Sequence, residues 1–151
     1  MLHRYFPAKA SLVLSLLILA AGYIFAEQAD ASSENCTLQT GKGEFAGIFT
    51  GAVTAGPFAG PFASLSRMVC DGKGNCFGQT TQNFNGLFVQ TVDFTVKYTT
   101  NPDCTGSSTI DFGPQQPPAN VNFILIDGGK EIRSVQTDLG SVITGTSLRL
   151  R

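Results

Sequence analysis

Between positions 88 and 100 the chain alternates over most of the stretch. Phe88, Val92, Phe94, Val96 and Tyr98 fall on one face, and Val89, Thr91, Asp93, Thr95, Lys97 and Thr99 fall on the other. A period of two with one apolar and one polar face is the signature of a half-buried strand. Shorter apolar or alternating runs recur at 44–54, 63–70, 76–83, 107–112, 121–126, 131–137 and 142–150. Beyond residue 31 no stretch sustains the 3.6-residue apolar period of a helix, so the expected fold class is all-β with eight strands.

The connections between these runs are turns. Asp71-Gly72-Lys73-Gly74-Asn75, Asn101-Pro102-Asp103-Cys104-Thr105-Gly106, Asp127-Gly128-Gly129-Lys130 and Asp138-Leu139-Gly140 are rich in residues that reverse a chain. Asn85-Gly86 suits a type I′ hairpin, whose two central residues both need positive φ. The repeated Gly-Pro-Phe stretch at 55–62 reads as a loop or an edge, because proline cannot donate to a central ladder. A parallel pair needs a crossover of about a dozen residues, and no connection offers one. The strands should therefore form an antiparallel meander, closed into an up-and-down barrel that has no exposed edge. A two-sheet sandwich is the second choice.

The first 31 residues follow a different pattern. His3, Arg4 and Lys9 precede the apolar run 11–25, and Ala29-Asp30-Ala31 places small residues where a signal peptidase reads them. The expectation is a signal helix at 1–31, cleaved after Ala31 or alternatively after Ala26, and a single domain at 32–151 that is secreted or periplasmic. Lipidation is disfavoured because Tyr23 stands where it would need cysteine. The competing reading is an uncleaved anchor at 8–26, near the lower length limit for a spanning helix. On the expected cleavage, no stable membrane span remains.

Charge narrows the function classes. The expected mature domain carries nine acidic and eight basic side chains, with no basic run of the kind that grips a phosphate backbone, so no nucleic-acid partner is expected. The sole histidine, His3, lies in the segment to be removed, and tryptophan is absent. Histidine-based nucleophile systems, histidine acid–base catalysis and the common zinc sites then lack their side chain. No catalytic residue, metal site or cofactor is assigned. Asp71-Gly72-Lys73-Gly74-Asn75 has the oxygens of a calcium loop, but Lys73 sits in its middle and no distal bidentate glutamate follows; it reads as a hairpin turn. It is no phosphate loop either, for want of a helix. Asn35-Cys36-Thr37 fits a glycosylation acceptor only in a eukaryotic secretory route.

Four cysteines in an exported domain point to disulfides, in one of three pairings. Cys70 and Cys76 bracket a five-residue turn and should face each other across a hairpin. Cys36 and Cys104 would then staple the mature N-terminus to the turn after the long central strand. A redox role is disfavoured, because the Cys-x5-Cys spacing is too wide for a thiol oxidoreductase.

The expected ligand-binding residues are Phe94, Val96, Tyr98, Phe123 and Leu125, lining the interior of a closed barrel, with Phe58 and Phe62 as a lid or a contact patch on the glycine-proline loop. An eight-stranded barrel is just wide enough either to hold one small apolar ligand or to be filled by its own side chains; filling has the slight edge.

Cys36 ahead of the first strand, the 71–75 and 101–106 turns and the late Gly129-Lys130-Glu131-Ile132-Arg133 together resemble small exported bacterial proteins of unknown function. That resemblance implies a barrel of the calycin and allene oxide cyclase type, and no cyclase catalytic motif is matched here. Three functions follow as expectations: a secreted non-catalytic barrel binding a small apolar ligand, a structural or adhesive cell-envelope module with a filled core, and a histidine-free cyclase or isomerase using Glu131, Asp127 or Tyr98.

Overall fold

A computed structural model describes residues 35–114 and 116–151; the expected signal segment and its cleavage sites lie outside them. Eight strands follow in chain order: β1 Gly43–Val53, β2 Gly60–Cys70, β3 Asn75–Phe84, β4 Phe88–Thr100, β5 Thr105–Asp111, β6 Ala119–Ile126, β7 Glu131–Gln136 and β8 Ser141–Arg149. Each pairs antiparallel with the next, and β8 returns to β1 from Phe45↔Arg149 to Val53↔Ser141, closing an up-and-down barrel. The sandwich alternative is thereby excluded.

Local chemistry accounts for most of the boundaries. Asn85 and Gly86 have φ of 54° and 69°, and the Leu87 amide donates to the Phe84 carbonyl, as the type I′ reading requires. In the turn from β2 to β3, the Asp71 carboxylate accepts the backbone N–H of Lys73 and Asn75 and the side-chain amide of Asn75. These bonds hold its carboxyl below the usual carboxylate range, the Asn75 side chain contributing most. Its oxygens thus organise a hairpin. Three strands begin at least two residues earlier than expected, β5 at Thr105, β6 at Ala119 and, by the most, β2 at Gly60, so Pro61 and Phe62 belong to the ladder. Pro61 is tolerated there because it sits at the strand's start, and its carbonyl accepts from the Asn85 amide.

Both expected disulfides are present, Cys36–Cys104 and Cys70–Cys76, with Cα separations of 4.9 and 4.0 Å. The first ties down a segment that periodicity alone could not place, a single 3₁₀ turn at Leu38–Gly41. This strap crosses the end of the barrel where the β2–β3, β4–β5 and β6–β7 turns lie. The Cys36 amide donates to the Pro102 carbonyl, the Tyr98 hydroxyl donates to the Leu38 carbonyl at 2.9 Å, and Arg149 Nη2 donates to the Thr40 carbonyl at 2.7 Å. Gly129, at φ 78°, closes the β6–β7 turn, and a Cβ there would stand 2.1 Å from the Thr40 carbonyl oxygen. The strap therefore seats against glycine for both a conformational and a steric reason.

Two clusters of buried side chains lie behind it. Phe45, wholly buried beneath the Arg149 guanidinium, packs with Cys70, Cys76, Phe94 and Val96, while Cys36, Cys104, Phe123 and Leu125 form the second. Tyr98 and Ile132 touch both. On β4, Phe94 and Val96 are buried and Asp93, Thr95, Lys97 and Thr99 are exposed, as the alternation predicts.

Candidate functional site

The barrel is hollow. A cavity of about 680 Å³ runs from the open end, ringed by the 54–59 and 112–118 connections and the 137–140 turn, down to Gly41 in the strap. A volume in this range accommodates a small organic ligand. The expectation of a filled interior is not met, for a reason of side-chain size. Among the large inward side chains such as Phe49 and Phe94 the wall also carries Ser64, Ser66, Ser108, Ser134 and Ser147, which span it without filling its centre.

All seven residues singled out from the sequence border this cavity: Phe94, Val96, Tyr98, Phe123 and Leu125 in its wall, and Phe58 and Phe62 at its mouth. Phe62 is buried, Phe58 is 44% exposed, and both rest on Phe84 with ring centroids 5.0 and 5.4 Å away. Phe112, also bordering the cavity, packs against Phe94 with tilted rings 6.1 Å apart. Phe58 is therefore anchored at the rim on an aromatic neighbour. Deeper in, the Tyr98 ring meets the edge of Phe123 at 6.3 Å. Burial pushes the Tyr98 phenol above its ordinary value, and the negative charge of Asp71 adds to the effect. At neutral pH it is a protonated donor already engaged with Leu38.

The three acid–base candidates do not assemble. Asp127 and Glu131 border neither the cavity nor Tyr98; they pair with Lys130 and Arg133 at 3.0 and 2.6 Å beside the β6–β7 turn. Exposed pairs of this kind contribute little. Among the described residues the one charged side chain bordering the cavity is Asp138, at the rim. Partial burial works to raise its pKa, but bonds from the Asn120 side chain, the Asn120 backbone and Gln136 outweigh it and hold the carboxyl below the usual range.

Sequence reasoning missed the polar side of the wall. Ser64, Gln82 and Gln90 lie in one cross-strand row on β2, β3 and β4, with Thr80 and Ser66 in the row beneath. Gln82 Oε1 accepts from Gln90 Nε2 at 3.0 Å and from Gln116 Nε2, on the 112–118 connection, at 3.1 Å. The signal was available in the phase of β4, because Gln90 is in register with Phe94 and Val96 and so must point inward.

Comparison of the chain with protein-family models, curated proteins and solved structures gives no match.

Proposed function

We propose that this is an exported, non-catalytic barrel that holds one small, largely apolar molecule in its interior, and that its kinship is with the calycin and allene oxide cyclase type of barrel. The observation that carries the ligand reading is the cavity of about 680 Å³ bordered by Phe94, Val96, Phe123 and Leu125, with Phe58 and Phe62 at its mouth. Two disulfides agree with an oxidising compartment. Among the described residues no helix is long and apolar enough to cross a membrane. The outward charges Arg67, Asp93 and Lys97 favour water around this wall, since a charge on the lipid face of a barrel costs about 2–4 kcal/mol at mid-membrane.

Native mass spectrometry of the protein, recovered under mild conditions from its own cell, tests the reading. The expected result is a mass above that of the disulfide-bonded chain, with the excess lost on denaturation. A bare chain at every stage of gentle recovery would overturn it and favour the second reading, an adhesive or structural module. That second reading rests on the outer face of β1–β3. There Ile48 and Leu65 oppose each other at about 60% exposure and Phe77 stands 64% exposed opposite Val69.

A further inference from the structure

The cavity has two chemically different walls, and the difference restricts what it can hold. Phe94, Val96, Ile110, Val121, Phe123 and Leu125 make an apolar side. Toward the mouth the wall changes to amides. Gln82 is only 3% exposed, and its carbonyl oxygen accepts from both Gln90 and Gln116. Its own N–H groups donate to no described residue, the carbonyl oxygens of Gln90 and Gln116 accept from none, and all three side chains border the cavity. Three side-chain amides thus meet at one point with donor and acceptor capacity left over. Polar groups in a protein interior are nearly always paired, and an unpaired one is costly.

Charge supplies the second restriction. Among the described residues no lysine, arginine or histidine borders the cavity. A ligand carboxylate or phosphate there would be buried without a counter-charge, which strongly disfavours binding. A cationic head at the amides would lack a counter-charge there too, because the Asp138 carboxylate is bonded to Asn120 and Gln136 and makes no hydrogen bond with Gln82, Gln90 or Gln116.

Resting on the proposed ligand-binding role, we infer that the ligand is an uncharged amphipathic molecule: an apolar body against Phe94, Phe123 and Leu125, and a neutral hydrogen-bonding head, such as an amide, carbonyl or hydroxyl, at the Gln82–Gln90–Gln116 cluster.

Three probes sharing one ring system separate the possibilities: 2-naphthamide with a neutral head, 2-naphthoate with a charged one, and naphthalene with none. Their affinities are measured by fluorescence titration of the protein produced from its full sequence, as wild type and as Gln82→Leu. The expected result is that 2-naphthamide binds about tenfold or more tightly than either other probe. Gln82→Leu should erase that advantage and leave naphthalene affinity within about twofold. If the charged probe binds as well as the amide, or if Gln82→Leu changes all three alike or none, the head-group assignment is wrong while the hollow barrel still binds apolar ligands. If none of the three binds the wild type, the ligand-binding reading itself falls. Should Gln82→Leu not fold, judged by loss of its thermal transition, Gln90→Leu makes the same test, removing one amide of the cluster from a partly buried position.

Discussion

The two ends of the barrel are built on opposite principles. At the closed end, a strap held by Cys36–Cys104 is hydrogen-bonded to Pro102, Tyr98 and Arg149 and covers a core in which Phe45 has no exposed surface. At the open end, connections rather than strands border the cavity, and Phe58 and Leu139 keep much of their apolar surface in water. The closed end concentrates covalent ties and burial, which stabilise; the open end leaves unsatisfied amides and exposed rings, which do not. A hollow barrel needs this asymmetry. A cavity removes packing from the centre, and the remaining contacts must concentrate where no ligand has to pass.

Equivalent truncations at the two ends break the comparison most directly. Phe45→Ala should lower unfolding free energy by about 3–5 kcal/mol, the usual cost of emptying a buried phenylalanine site. Phe58→Ala should cost no more than about 1 kcal/mol, because the ring is 44% exposed and so loses less burial on truncation. Urea denaturation of both variants checks this, and equal losses would show that the ends do not differ in stability.

Removing the disulfides singly sharpens the picture within the closed end. On a chain-entropy basis, the bridge closing a sequence separation of 68 should contribute about 4 kcal/mol and the bridge closing one of 6 about 2 kcal/mol. Cys36→Ser/Cys104→Ser should therefore lower the urea midpoint well below that of Cys70→Ser/Cys76→Ser. The reverse order would mean that the covalent tie on the strap stabilises the fold less than its loop length predicts.

Acid should reveal the smallest difference. Hydrogen bonds hold the carboxyls of Asp71 and Asp103, at the closed end, and Asp138, at the open end, below the usual range. A group whose folded pKa is depressed contributes stability above its unfolded pKa, near 3.9, and loses it as pH falls through the folded value. Asp138→Ala should thus destabilise by about 1 kcal/mol at pH 7, and the gap from wild type should narrow as pH is lowered below about 4. Urea midpoints at pH 7 and pH 3 test this, and a gap that does not change with pH would refute a role for the ionised carboxylate.

Much of the barrel's wall was legible locally. The period-two run at 88–100 is β4 to the residue, and the Asn85-Gly86 and Asp71–Asn75 turns lie where their backbone demands place them. The disulfides followed from which cysteines the turns bring face to face. Phe94, Val96, Phe123 and Leu125 were legible as inward residues for the same reason, since facing within a strand is a property of adjacent residues. The start of β2 was less so: the prolines of 55–62 argued for a loop, and the pairing of Pro61 with Ala52 depends on where β1 lies beside it.

The chain by itself thus determined the strands, the turns, the faces and the disulfide pairs, because each rests on backbone preferences or pairings across a few residues. Only the tertiary structure decided that β8 closes on β1, that the interior is hollow and that Gln82, Gln90 and Gln116 converge. Closure joins Phe45 to Arg149 across nearly the whole domain. Whether its interior fills is set by the summed volume of inward side chains against the stagger of eight strands. The amide cluster adds a residue from a connection, Gln116, to two from neighbouring strands; no local pattern carries a meeting of that kind, because it exists only once the wall has curved round to make it.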